Sequence, residues 1–179
     1  SVAKNAGAIV RTESKKGKGN VVRRMFADIE ADFYILVDGD LTYDANVAPQ
    51  MLKCLVEEKI DMLNISRIGD KESYRAGHVF GNLLLTKTVQ FIFGSGLNDM
   101  LSGYRVFSRK FVKTFPARSN GFEIETEFTV HSLEMKIPIG EYPAKYIDRP
   151  SGSVSKLSTY QDGLKILLMI SKLFFLVKP

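Results

Sequence analysis

The chain carries one cysteine, Cys54, so no internal disulfide can form. That usage suits a reducing compartment, with Cys54 an ordinary helix residue. Long apolar runs are also lacking. None reaches the ~18 residues expected of a membrane span, and the nearest, Leu164 to Val177, is interrupted by Lys165 and Lys172. The opening Ser1-Val2-Ala3-Lys4 has no apolar core of the kind a signal peptide needs. Repeats and low-complexity segments are missing. Nor does one sign of charge dominate: 25 basic against 20 acidic residues give +5. That balance does not imply a nucleic-acid partner, but it favours contact with phosphates, nucleotides or an anionic membrane face.

What is present fits a core-forming chain of 179 residues, 45% of them hydrophobic. Strand-like and helix-like segments alternate, which argues for an α/β fold. Ala8 to Thr12 reads as a strand, Asn20 to Ala31 as a helix, and Phe33 to Val37 as a strand covered on both faces. A helix over Val47 to Lys59 and a strand over Asp61 to Ile65 follow. Ala76 to Phe93 reads as a long helix, and Tyr104 to Phe107 as a short strand. Helices are expected near Arg109 to Thr114 and over Glu123 to Met135. Ile137 to Tyr146 is extended, with Pro138 and Pro143 pointing to a sheet edge. Residues 1–163 are expected to form a catalytic domain. Residues 164–179 form an apolar helix, packed on the core or lying near a membrane.

Five segments carry chemistry. Asp38-Gly39-Asp40 follows the strand Phe33 to Val37 directly, at the end where open α/β sheets bind ligands. Carboxylates at i and i+2 of an extended segment project to one side, and Gly39 allows close approach to the backbone. Hard cations such as Mg²⁺ or Mn²⁺ take oxygen ligands and bridge to diphosphates. A plain turn explains the tripeptide equally well. Gly17-Lys18-Gly19 precedes a helix, where an anion would find backbone N–H groups and a lysine. In Asn98 to Arg105, Asp99 could act as a general base, and Arg105 could orient it or meet a phosphate. Gly121 to Glu127 opens a helix with three acids that suit its dipole. His131, one turn on, reads as a packed or surface histidine. Arg149 to Lys156 is a basic loop whose Arg149 and Lys156 could close over a diphosphate or lipid phosphate.

Taken in order, these segments resemble the family 2 glycosyltransferases of the GT-A fold, nearest the dolichyl- and polyprenyl-phosphate sugar transferases. The resemblance implies a mostly parallel, Rossmann-like sheet flanked by helices. It implies that Asp40 holds the metal and that Asp38 lies by the nucleotide or metal. Lys18 would sit near the nucleotide, Asp99 would be the acceptor-side acid, and Arg149 and Lys156 would touch phosphates. Several members have Gln where this chain has Thr42, so the metal shell is expected to differ. Their opening Pro-x-Tyr-Asn-Glu segment is not in this sequence, so the N-terminal strand and part of the base pocket are expected to be absent. The implied activity is inverting transfer from a nucleotide-sugar to a polyprenyl-phosphate or saccharide acceptor at the cytoplasmic side of the cell membrane. A nucleotidyltransferase, or a non-catalytic module that binds nucleotide or lipid phosphate, would also pair carboxylates with an α/β sheet.

Overall fold

The computed structural model describes residues 2–68, 85–92, 97–147 and 159–177. A four-stranded sheet is built from β1 (Phe33–Leu36), β2 (Met62–Ile68), β3 (Arg105–Ser108) and β4 (Ile139–Lys145), in the order β1-β3-β2-β4. β3 is antiparallel to both β1 and β2, whereas β2 and β4 are parallel. Three strands therefore run one way and β3 alone is reversed, which makes the sheet mixed. Pro143 lies in β4, the edge strand, where a missing N–H leaves no gap in a central ladder.

Helices cover both faces. α1 (Val2–Asn5) is short and exposed. α2 (Lys18–Asp28), α5 (Arg109–Thr114) and α6 (Ile124–Glu134) pack on one face. There Phe26, Phe107, Phe111, Phe115 and Phe128 meet edge-on, tilted or stacked, with Tyr34 and Met62 beneath. Ser108 starts α5 by accepting the Phe111 N–H at 3.1 Å, a single-residue join between β3 and its helix. α3 (Ala48–Glu57) covers the other face, setting Met51 and Leu55 against Leu63, Ile65 and Val106. Cys54 is an ordinary residue of that helix. A third cluster joins α4 (helical over 85–92) and α6 to α7 (Thr159–Val177) through Leu85, Val89, Val130, Ile166 and Ile170. The last helix is thus packed on the core along one side, and the expected boundary between residues 163 and 164 falls inside it. Among the described residues no helix is long and apolar enough to cross a membrane.

Two expectations fail here. Ala8 to Thr12 is not a strand: it is an exposed coil, because no neighbouring strand among the described residues offers it a ladder. β1 is not covered on both faces. Tyr34 is buried, but Phe33, Ile35 and Val37 on the opposite face are 40%, 43% and 41% exposed. α3 reaches β2 and β3 and stops short of β1. An apolar run records which residues can be buried, not whether a helix arrives to bury them.

Candidate active site

β1 and β2 end, and β3 begins, at the same edge of the sheet, because β3 is reversed. The candidate residues gather there. Asp38 follows β1 and is bound by Lys18, whose Nζ lies 2.6 Å from Asp38 Oδ1 and 2.5 Å from Glu125 Oε1. Glu125 is buried and the Lys18 side chain is only 12% exposed, whereas that of Asp38 is 35% exposed. Burial works against the Lys18 charge, but the two carboxylates outweigh it and hold the ammonium above the ordinary lysine value.

Glycines make this cluster possible by what they lack. Gly17 sits at φ 122°, a left-handed value that favours glycine, and caps α2. A Cβ on Gly17 or Gly19 would come within 2.2 Å of the Asn120 or Ser119 carbonyl oxygen. So α2 starts in backbone contact with the segment before α6, and Lys18 is thereby aimed at Glu125. Gly103, just before β3, is tighter still: a Cβ there would lie 2.0 Å from Asp38 Oδ2 and 3.0 Å from Lys18 Nζ. Gly39 is the opposite case, since a Cβ there would meet nothing within 4 Å. It leaves open ground between the two carboxylates.

Asp40 is held from its own turn. Its Oδ1 accepts from the Thr42 N–H at 3.2 Å and from the Thr42 hydroxyl at 2.6 Å. The intervening Leu41 takes φ 63°, a left-handed conformation that costs a non-glycine residue about 1–2 kcal/mol. Buried Thr42 is therefore the clamp that orients Asp40. Beneath the turn, Tyr43 accepts the Gly103 N–H at 3.0 Å and meets Ser102 Oγ at 3.2 Å. Its ring stands edge-on to Tyr104 and Tyr146. Burial pushes the Tyr43 phenol well above its ordinary value, so it stays protonated.

The three acids that open α6 have separate tasks. Glu123 Oε1 accepts the N–H groups of Asn120 and Gly121. Glu127 accepts those of Arg118 and Ser119, at 2.7 and 2.8 Å. Between them Glu125 faces Lys18. Two acids fix the loop that α2 leans on, and the third engages the lysine. His131, further along, is buried against the rings of Phe111 and Phe115.

Asp99 lies on the far side of β3 from Asp38. Both its oxygens are taken by Arg67 at the end of β2, Nε to Oδ2 at 2.5 Å and Nη2 to Oδ1 at 2.6 Å. The guanidinium also lies over the Tyr146 ring, 5.4 Å from its centroid. Neighbouring strands grip the backbone here. Asn64 Nδ2 donates to the Asp99 carbonyl at 2.6 Å, and Glu141 accepts the N–H groups of Asn98 and Asp99.

Arg105 corrects an expectation. It neither faces a phosphate site nor orients Asp99. It is fully buried, with Nε donating to the Ser102 carbonyl at 3.2 Å and Nη2 to the Met100 carbonyl at 2.5 Å. It also reaches Thr129 Oγ1 and lies over the Phe128 ring. Burial lowers its pKa to about 10, against the pull of Glu125 and Asp99. Its task is to tie the 100–102 turn to α6. Arg149 and Lys156 lie outside the described residues. Arg67, Asn64, Tyr43 and Glu141 were not singled out from the sequence. Asn64 between the apolar Leu63 and Ile65, and Glu141 within a strand, are the signal the sequence carries.

Among solved structures, the chain resembles glucosyl-3-phosphoglycerate synthase from Mycobacterium tuberculosis in complex with phosphoglyceric acid. The TM-score is 0.77 at 16% identity, over 97% of this chain and 63% of that one. The same synthase with Mn²⁺, UDP-glucose and phosphoglyceric acid gives 0.74. These likenesses show a GT-A fold. No protein-family model matches the chain. In sequence it is 36% identical to the glycosyltransferase AglJ of Haloferax volcanii, over 93% of this chain and 56% of that protein. It is 32% identical to the low-salt glycan biosynthesis hexosyltransferase Agl6 of the same organism, over 90% of this chain and 40% of that protein. The chain is similar to these glycosyltransferases in sequence and is built on the GT-A fold. It spans about half the length of the curated relatives it matches.

Proposed function

We propose that the protein transfers a sugar from a nucleoside-diphosphate donor, with Mg²⁺ or Mn²⁺, to a polyprenyl-phosphate or saccharide acceptor. The setting we assign is cell-envelope glycan or glycolipid synthesis at the cytoplasmic side of the membrane. One observation carries this reading: Lys18, shared between Asp38 and Glu125, stands at the open end of β1 beside Asp38-Gly39-Asp40. The Mn²⁺ and UDP-glucose held by the M. tuberculosis synthase support the metal and the donor class.

The residues fit a hard divalent cation. Asp38 and Asp40 supply oxygen ligands on both sides of an open glycine, and such ions are completed by substrate phosphates rather than by an all-protein cage. When bound, the ion offsets the negative charge that grows on the departing diphosphate. Asp38 and Asp40 would hold the ion, and Glu125 keeps Lys18 in place beside them. Lys18 would offer its charge to the diphosphate. Arg149 and Lys156 are assigned the remaining phosphate contacts. Displacement at the anomeric carbon inverts its configuration.

The Arg67 grip on Asp99 bears on the acceptor. Both Asp99 oxygens are committed to the Arg67 fork rather than set toward an incoming hydroxyl. A sugar hydroxyl needs a base, whereas a polyprenyl phosphate is already ionised. The pairing supports the lipid phosphate, with Asp99 positioning the 98–105 segment.

The test is a donor screen on the full-length protein with UDP- and GDP-sugars and Mn²⁺ or Mg²⁺. Released nucleoside diphosphate is measured with polyprenyl phosphate and with saccharides as acceptors. Asp40→Ala is expected to lower transfer about 10²–10³-fold. Nucleotide binding that ignores both metal and Asp40→Ala would replace this reading with a binding module. Pyrophosphate release from a nucleoside triphosphate would replace it with a nucleotidyltransferase.

A further inference from the structure

The segment before α6 and one side of α7 form a groove of about 280 Å³. Arg118, Lys165 and Lys172 line it, with Leu168 and Met169 as its apolar wall and Asn120 and Glu123 opposite. Glu123 does not cancel three cations, and its Oε1 is already committed to two backbone N–H groups. Lys165 has a partner in Asp162 at 3.2 Å, whereas no ion pair of Arg118 or Lys172 occurs among the described residues. The walls are fixed to each other: Ser119 Oγ reaches Met169 Sδ at 3.8 Å, and Ile166 and Ile170 anchor α7 in the core.

The side of α7 turned away from the core, next to the groove, is apolar where a packed helix exposes polar residues. Leu164, Leu167 and Leu168 are 59%, 42% and 61% exposed, and their i, i+3, i+4 spacing puts them in one ridge. Lys165 and Lys172, seven residues apart, run beside that ridge along the groove. From Gly163 to Val177 the sequence has no acidic residue. An exposed leucine ridge flanked by a lysine row is the pattern of a helix lying in the plane of a membrane surface.

We propose that this face docks on an anionic phospholipid bilayer. A lipid phosphate sits in the groove between Arg118 and Lys172, and Leu164, Leu167 and Leu168 dip among the acyl chains. Charge selects this occupant: a ridge alone would suit another protein, but the acid-free cationic groove beside it matches an anionic headgroup. This deepens the membrane setting of the proposed function and rests on it. The groove shares Ser119 and Asn120 with the segment on which the start of α2 leans, so the docking face borders the Lys18 cluster.

Sedimentation of the purified chain with phosphatidylcholine vesicles, with and without phosphatidylglycerol, tests the proposal. Binding is expected only with phosphatidylglycerol. Arg118→Ala with Lys172→Ala should weaken it about fivefold for each cation removed. Leu168→Asp, an exposed substitution that spares the core, should abolish it with the circular dichroism unchanged. The control pair Lys53→Ala and Lys110→Ala, on other surfaces, should leave binding within about twofold. Equal binding to neutral vesicles, no binding to either, or an equal loss in the control pair overturns the proposal. So does a dimer dissolved by Leu168→Asp while vesicle binding persists, which would assign the face to a second copy. Calorimetry with UDP and Mn²⁺ on the same preparations reads the donor site separately. Its failure would count against the proposed function and not against the docking face.

Discussion

Asp38 and Asp99 stand at the same end of the sheet, and each is bound to a cation, but the two pairs are built differently. Lys18 is shared by two carboxylates, of which Glu125 is sealed in and Asp38 faces outward. Arg67 serves Asp99 through two parallel bonds, and both side chains are largely buried. The first arrangement can let one partner go without stranding the lysine. The second is a closed pair that fixes a loop. A site that must exchange a carboxylate between an internal cation and an incoming ion needs the first kind. A site that must keep its shape throughout needs the second.

The largest effect expected from breaking this contrast is that of Lys18→Met. It leaves Glu125 ionised in a dry setting, or forces it to protonate, and should cost about 3–5 kcal/mol in a urea titration. Adding Glu125→Gln should return most of that stability without restoring donor binding. If the double variant bound donor normally, Lys18 would be only a structural counter-ion. Gly103→Ala comes next. The new Cβ must push the Asp38 carboxylate aside, so transfer should fall about 10²-fold, while stability changes by less than about 1 kcal/mol. Arg67→Lys keeps the charge and loses the fork, with an expected loss of about 1 kcal/mol by thermal denaturation. A loss as large as that of Lys18→Met would erase the distinction between a closed and an exchangeable pair.

His131 gives the smallest effect and serves as a reference, being a buried titratable group outside both pairs. Burial holds its imidazole below the ordinary value, against the opposing pull of Glu127 and helped by Arg118. The folded state therefore prefers the neutral ring. This stabilisation is complete above about pH 6.5 and is lost as pH falls through that value toward the lower folded pKa. The melting temperature should drop over that window by the equivalent of less than about 1 kcal/mol. His131→Gln should flatten the drop.

The alternation of elements and their approximate limits were legible in the sequence because local period and capping decide them. Arg109 to Thr114 is a helix as expected, and the Pro138 and Pro143 signal correctly put β4 at an edge. Whether β1 would be covered was not legible, since coverage depends on how far α3 extends across the sheet. The pattern around Asp38 pointed to a cluster but not to its wiring. Glu125 was one of three acids in a row, and only the fold shows which one turns toward Lys18. Arg67 takes the place beside Asp99 that the sequence suggested for Arg105, for the same reason. Asp99 is nearer to Arg105 in sequence, but the reversed β3 carries Arg105 inward and the end of β2 brings Arg67 alongside.

The open side of β1 has a practical consequence. On the edge away from β3 no strand among the described residues completes its hydrogen bonds, and Phe33, Ile35 and Val37 stand uncovered beside it. A bare edge with an apolar flank is a template for a strand from another molecule. Concentrated solutions of the 179-residue chain are therefore expected to self-associate through this strand, and shelf life should shorten as concentration rises. A single lysine at Ile35 would act as a gatekeeper. It would bring solubility without touching the carboxylates two and four residues beyond the strand's end.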